Sequence, residues 1–102
     1  MEHDPADKVF EAAAELFALL STPTRLRIVC ALCDGEMNVG ELVQQVGASQ
    51  SNMSQHLGVL YRSGVLGRRR AGAQVYYRVI SQRVLLLRDA LCSEHVTSPG
   101  HA

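Results

Sequence analysis

Between Glu41 and Asp89 the chain carries no acidic residue, while Arg62, Arg68, Arg69, Arg70, Arg78, Arg83 and Arg88 all fall in that gap. The formal net charge of +0 therefore conceals a dipolar molecule, because Glu2, Asp4, Asp7, Glu11, Glu15, Asp34, Glu36 and Glu41 are gathered ahead of the arginines. Other absences narrow the class. No apolar run approaches the roughly 18 residues of a membrane span, so no membrane partner is expected. The first ten residues, MEHDPADKVF, are acidic and polar and lack the apolar segment of a secretory signal. A cytoplasmic protein is expected. Three cysteines are an odd number, and a reducing compartment argues against a structural disulfide framework. No Ser/His/Asp set, paired-carboxylate site or phosphate loop is visible. Cys30 and Cys33 form a CxxC, but in the last turns of a helix pattern with no strand before it, whereas dithiol oxidoreductases use a helix N-terminus. An enzyme is not expected, nor a bound cofactor.

One domain over residues 1–102 is expected, with residues 95–102 a mobile tail. Such a short chain leaves much surface unburied and gains from an oligomer interface. Residues 6–20 are rich in Ala and Leu, with Phe10, Ala13, Ala14 and Phe17 at helical spacing. Thr22 caps a second helix with Pro23 at its first position, and Leu26, Val29, Cys30 and Cys33 share one side of it. Asn38, with Glu41 three residues on, opens a short helix over 39–46. Gly47 closes it, and Ser49 starts another to about residue 63, whose Met53, Leu57 and Leu60 point inward. Strands over 65–70 and 74–79 surround Ala71, Gly72 and Ala73. A last helix over about 82–94 is apolar on more than one side, which suits a partner. The order α-α-α-α-β-β-α is a mainly helical α+β fold with a β-hairpin wing.

Helix, short Gly-containing turn, then a polar-faced helix is the helix-turn-helix pattern. The N-terminal residues of its second helix meet the major groove. Gln50, Ser51, Asn52 and Gln55 are expected at base edges, because amides pair bidentately with adenine. Ser54 and His56 suit bases or phosphate. Arg68, Arg69 and Arg70, on the hairpin, suit phosphates or the minor groove. Each feature has a plainer account alone, a solvated helix or a charged edge strand that discourages aggregation. Together, without an intervening acid, they point to double-stranded DNA. A dimer neutralising roughly 6 to 10 phosphates would lose about three to five decades of affinity between 50 and 200 mM salt.

The segments PTRLRIVCAL (23–32), VGEL (39–42), SNMSQHLGVL (51–60), SGVL (63–66) and GRRRAGAQVYYR (67–78) resemble the ArsR/SmtB family of small dimeric winged-helix repressors. The resemblance implies a homodimer joined by the first and last helices that holds an inverted-repeat operator until a chemical signal arrives. Within the family the chain is most similar to thiol-based sulfide and persulfide sensors of the BigR/SqrR type. These carry one cysteine in the second helix, matched here by Cys30, and another near the end of the last helix, matched by Cys92. The family's CxC arsenic motif has no counterpart in VGEL. Gln82 and Arg83 stand where its zinc type has an Asp-x-His pair.

Three roles for the cysteines stay open at this level. Cys30 and Cys92 are oxidised or persulfidated and become bridged, with Cys33 as a further participant. Alternatively Cys30, Cys33 and Cys92 hold a soft ion such as arsenite, or zinc with His95 as fourth ligand. Or the cysteines only pack, as buried thiols often do. His3 and His101 lie in the polar ends and are expected to be solvated.

Overall fold

The structure, a computed structural model, describes residues 5–93. His3, His95, His101 and the tail expected over 95–102 lie outside the described residues. The order is α1 (Pro5–Leu19), α2 (Pro23–Cys33), β1 (Met37–Asn38), α3 (Val39–Val46), α4 (Gln50–Arg62), β2 (Leu66–Ala71), β3 (Gln74–Val79) and α5 (Gln82–Cys92). Local chemistry sets most of these boundaries. The Arg25 amide donates to Thr22 Oγ1 (3.1 Å), which caps α2 with Pro23 at its start. At α3 the capping box is complete: the Glu41 amide donates to Asn38 Oδ1 (2.8 Å), and the Asn38 amide to Glu41 Oε1 (2.9 Å). Gly47 ends α3 in the left-handed region (φ 86), a conformation that costs glycine little. Ser49 and Ser81 cap α4 and α5 through the amides of Asn52 and Val84.

The hairpin is tighter than a three-residue loop. Ala71 pairs with Gln74, leaving Gly72 and Ala73 as a two-residue turn. Only Gly72 (φ 63) has positive φ there, as a type II′ turn requires. The wing also has a third strand not foreseen in the sequence. Met37 and Asn38 of β1 pair antiparallel with Tyr77 and Tyr76, giving the sheet order β1-β3-β2.

The core is built from Ile28, Val29, Leu32, Leu42, Met53, Leu57, Leu60, Val65, Leu66 and Val84, with Tyr77 from the sheet. The inward stripe of α4 is as expected, since Met53, Leu57 and Leu60 are fully buried. The residues sharing one side of α2 are not equally buried. Ile28, Val29, Ala31 and Leu32 are its buried residues, while Leu26, Cys30 and Cys33 are half-buried. The reason is tertiary: α2 is packed by α3, α5 and β3 together, so its buried arc is set by three neighbours rather than by one stripe.

α1 meets α2 at a 96° bend and has no buried residue. Its Phe10 is 72% exposed and Phe17 56%, and on α5 Leu86 is 84% exposed. Ala13, Leu16 and Phe17 of α1 and Leu86 and Leu87 of α5 line one apolar cleft. Among the described residues no single helix is long and apolar enough to cross a membrane.

Candidate DNA interface and thiol site

Burial of Met53, Leu57 and Leu60 fixes the rotation of α4. Gln50, Ser51, Asn52, Ser54 and Gln55 are all exposed along its first two turns. Their amides and hydroxyls form an open polar face at a helix N-terminus, where backbone N–H groups favour an anion. His56 is different. It is half-buried, and its Nδ1 accepts a hydrogen bond from Arg25 Nε (3.2 Å). Arg25 Nη1 also donates to the Leu19 carbonyl (3.3 Å), so one guanidinium joins the end of α1, the start of α2 and the middle of α4.

The wing arginines do not share one environment. β2 alternates, so Arg68 and Arg70 face one way and Arg69 the other. The Arg68 guanidinium lies 3.9 Å from the Tyr61 ring centre, over the last turns of α4. Arg69 stands opposite Tyr76 on β3, 5.0 Å from its ring centre, and reaches across the sheet to Glu36. Arg69 Nε donates to both carboxylate oxygens (3.0 and 3.1 Å), and Nη2 donates to Oε1 as well. That hydrogen bonding holds the Glu36 carboxyl below the usual carboxylate range. Arg70 is exposed at the wing tip and has no side-chain partner among the described residues.

Cys30 of α2 and Cys92 of α5 are joined by a disulfide, with their Cα atoms 5.5 Å apart. It links positions 62 residues apart in sequence. Beside it Arg88 of α5 pairs with Asp34 at the end of α2. Cys33 remains a free thiol, half-buried. Burial pushes that thiol above its usual range; Arg88 acts against the shift and Asp34 adds to it. A cleft of about 400 Å³ opens next to the disulfide, walled by α2, α5 and the end of α3.

Residues 22–66 match the arsR family of bacterial regulatory proteins. The whole chain is also similar to the biofilm growth-associated repressor of Xylella fastidiosa, 42% identical over 102 residues, which are 100% of this chain and 90% of that protein. The chain belongs to the arsR family. Among solved structures, this arsR-family chain is similar to the repressor BigR from Xylella fastidiosa, with a TM-score of 0.80 and 42% identity over 89% of this chain and 93% of that one. It is similar to reduced HlyU from Vibrio cholerae, with a TM-score of 0.82 and 33% identity over 92% and 96%. A homodimeric winged helix-turn-helix DNA-binding domain from Mycobacterium bovis matches with a TM-score of 0.75 and 25% identity over 99% and 91%. The relatives named are regulators, not enzymes, and the fold of this arsR-family chain is the winged helix-turn-helix.

The three-cysteine metal site is not assembled in this arsR-family structure. Cys30 and Cys92 are bonded to each other, and among the described residues no cluster of three His, Cys, Asp or Glu has metal-binding spacing. Glu36 and Arg25 hold Arg69 and His56 in place, and neither stands out in the sequence. Glu36 is an ordinary surface acid in sequence; its one signal is that it directly precedes a strand-like dipeptide. Arg25 has none, because its partners lie on other helices.

Proposed function

We propose that this protein is a homodimeric transcriptional repressor of the cytoplasm, released from an inverted-repeat operator when Cys30 and Cys92 become linked by oxidation or persulfidation. The observation that carries this reading is the junction itself: the two cysteines meet between α2 and α5. α5, with α1, presents the uncovered apolar face that a second copy would bury. α2 touches the reading helix through Arg25 and His56. A bond between α2 and α5 therefore joins the element facing the partner subunit to the element behind the DNA-reading residues.

The chemistry balances with a persulfide as oxidant. The thiolate of one cysteine takes the outer sulfur of RSSH, releasing RSH, and the second thiolate displaces hydrosulfide to close the disulfide. Two protein thiols are oxidised, and one sulfur–sulfur bond of the donor is reduced. DNA is held by Gln50, Ser51, Asn52, Ser54 and Gln55 in the major groove and by Arg68 and Arg70 on the flanking backbone. Glu36 keeps Arg69 from the phosphates in the wild-type complex, while His56 positions α4 from behind.

The test is Cys30→Ser. Fluorescence anisotropy with an operator duplex is expected to show its affinity within about twofold of wild type, with no response to a persulfide donor. A Cys30→Ser protein that still leaves DNA on donor addition refutes the thiol switch. A second substitution addresses the wing. Glu36 competes with phosphate for Arg69, so Glu36→Gln is expected to tighten DNA binding by about fivefold, the upper range for an exposed ion pair. Weaker binding by Glu36→Gln would mean that the pair holds the wing in its DNA-binding position.

A further inference from the structure

The cleft beside the disulfide has a charge pattern that the switch alone does not need. Arg27 lies one helical turn before Cys30 on α2, and Asp89 lies one turn before Cys92 on α5. Side chains three apart on a helix are neighbours, and each leans toward the N-terminus of its own helix. With the two cysteine Cα atoms 5.5 Å apart, an arginine and an aspartate therefore flank the sulfurs from opposite helices. Both line the cleft and both are exposed. Neither has an ion-pair or side-chain hydrogen-bond partner among the described residues, whereas Asp34 and Arg88, which line the same cleft from α2 and α5, neutralise each other. Gln45, from the end of α3, lines the same space.

We propose that this cleft binds a small zwitterionic thiol, an amino acid or short peptide carrying both carboxylate and ammonium, with its sulfur against the Cys30–Cys92 bond. Arg27 takes the carboxylate, Asp89 takes the ammonium, and the volume of about 400 Å³ lies within the range of small-ligand pockets. The site rests on the thiol-switch reading and adds its chemical partner. Resetting proceeds by exchange. A bound thiolate RS⁻ attacks one sulfur of the disulfide, forming a mixed disulfide and releasing the other cysteine as thiolate. A second RS⁻ attacks the mixed disulfide, giving RSSR and the second cysteine thiolate. Two electrons pass from two small thiols to the protein.

The test measures reduction rates of the oxidised dimer with four thiols: glutathione (both charges), 3-mercaptopropionate (carboxylate), cysteamine (ammonium) and 2-mercaptoethanol (neither). Comparing each variant with wild type for one thiol at a time cancels intrinsic thiol reactivity. Arg27→Gln is expected to slow glutathione and 3-mercaptopropionate by about fivefold, with cysteamine and 2-mercaptoethanol within about twofold of wild type. Asp89→Asn is expected to slow glutathione and cysteamine similarly and not to slow 3-mercaptopropionate. Uniform effects on all four thiols, or none, overturn the site while the switch stands. A selective cleft in a protein whose DNA affinity ignores the disulfide overturns the switch and leaves the site. A wild-type protein in which Cys30 and Cys92 never bond overturns both.

Discussion

Operator affinity is expected to fall by about three decades between 50 and 200 mM salt. The estimate follows from counting cations that face DNA rather than cations in the sequence. Each protomer offers Arg68 and Arg70 on β2, with the exposed N-terminal turn of α4 as a third phosphate contact. Arg69 is already satisfied by Glu36. Two protomers then neutralise about six phosphates, the log–log slope is about −5, and a fourfold rise in salt costs about three decades. Titrations of a fixed duplex at several salt concentrations read the slope directly. A slope near −7 would mean that Arg69 of each protomer leaves Glu36 for phosphate in the complex. A slope near zero would mean that the basic wing does not touch DNA at all.

The second large effect concerns the uncovered apolar face. Leu86 is 84% exposed on α5, beside Phe17 of α1, and neither belongs to the buried core. Leu86→Glu removes apolar area from a dimer interface and places a carboxylate there, while the core around Leu57 and Leu60 is untouched. The variant is expected to stay folded by circular dichroism and to sediment as a monomer. Its operator affinity is expected to fall by about 100-fold or more, because the second half-site then binds as a separate event. A Leu86→Glu protein that remains dimeric would place the subunit interface elsewhere.

Helix boundaries were legible wherever one residue's chemistry decides them: Pro23 behind Thr22, Asn38 with Glu41, Gly47 and Ser49. The inward stripe of α4 and the exposed Gln50, Ser51, Asn52, Ser54 and Gln55 follow from a single period of 3.6 residues, so they were legible as well. What depends on a second element was not. Met37 and Asn38 form a strand only because β3 offers an edge, and two residues carry no periodicity. The buried arc of α2 depends on three neighbouring elements, so the depth of each residue is not set by its own pattern. The clamp from Arg69 to Glu36 spans 33 residues, and the bond from Arg25 to His56 spans 31. Neither leaves a local trace. The Cys30–Cys92 pair was anticipated through family resemblance alone, since nothing local dictates that α5 should return to α2 across a sequence separation of 62.

On the thiol-switch reading, the state of one sulfur–sulfur bond sets the affinity of the reading helices for DNA. The most direct test uses one preparation in two states, fully reduced and with the Cys30–Cys92 disulfide, Cys33 being verified as a free thiol by peptide mass mapping. Both are titrated at the same salt concentration against a duplex selected from a random library. The reduced dimer is expected to bind about 5- to 150-fold more tightly, a coupling of about 1 to 3 kcal/mol between the bond and the DNA. Equal affinities in the two states would contradict that reading.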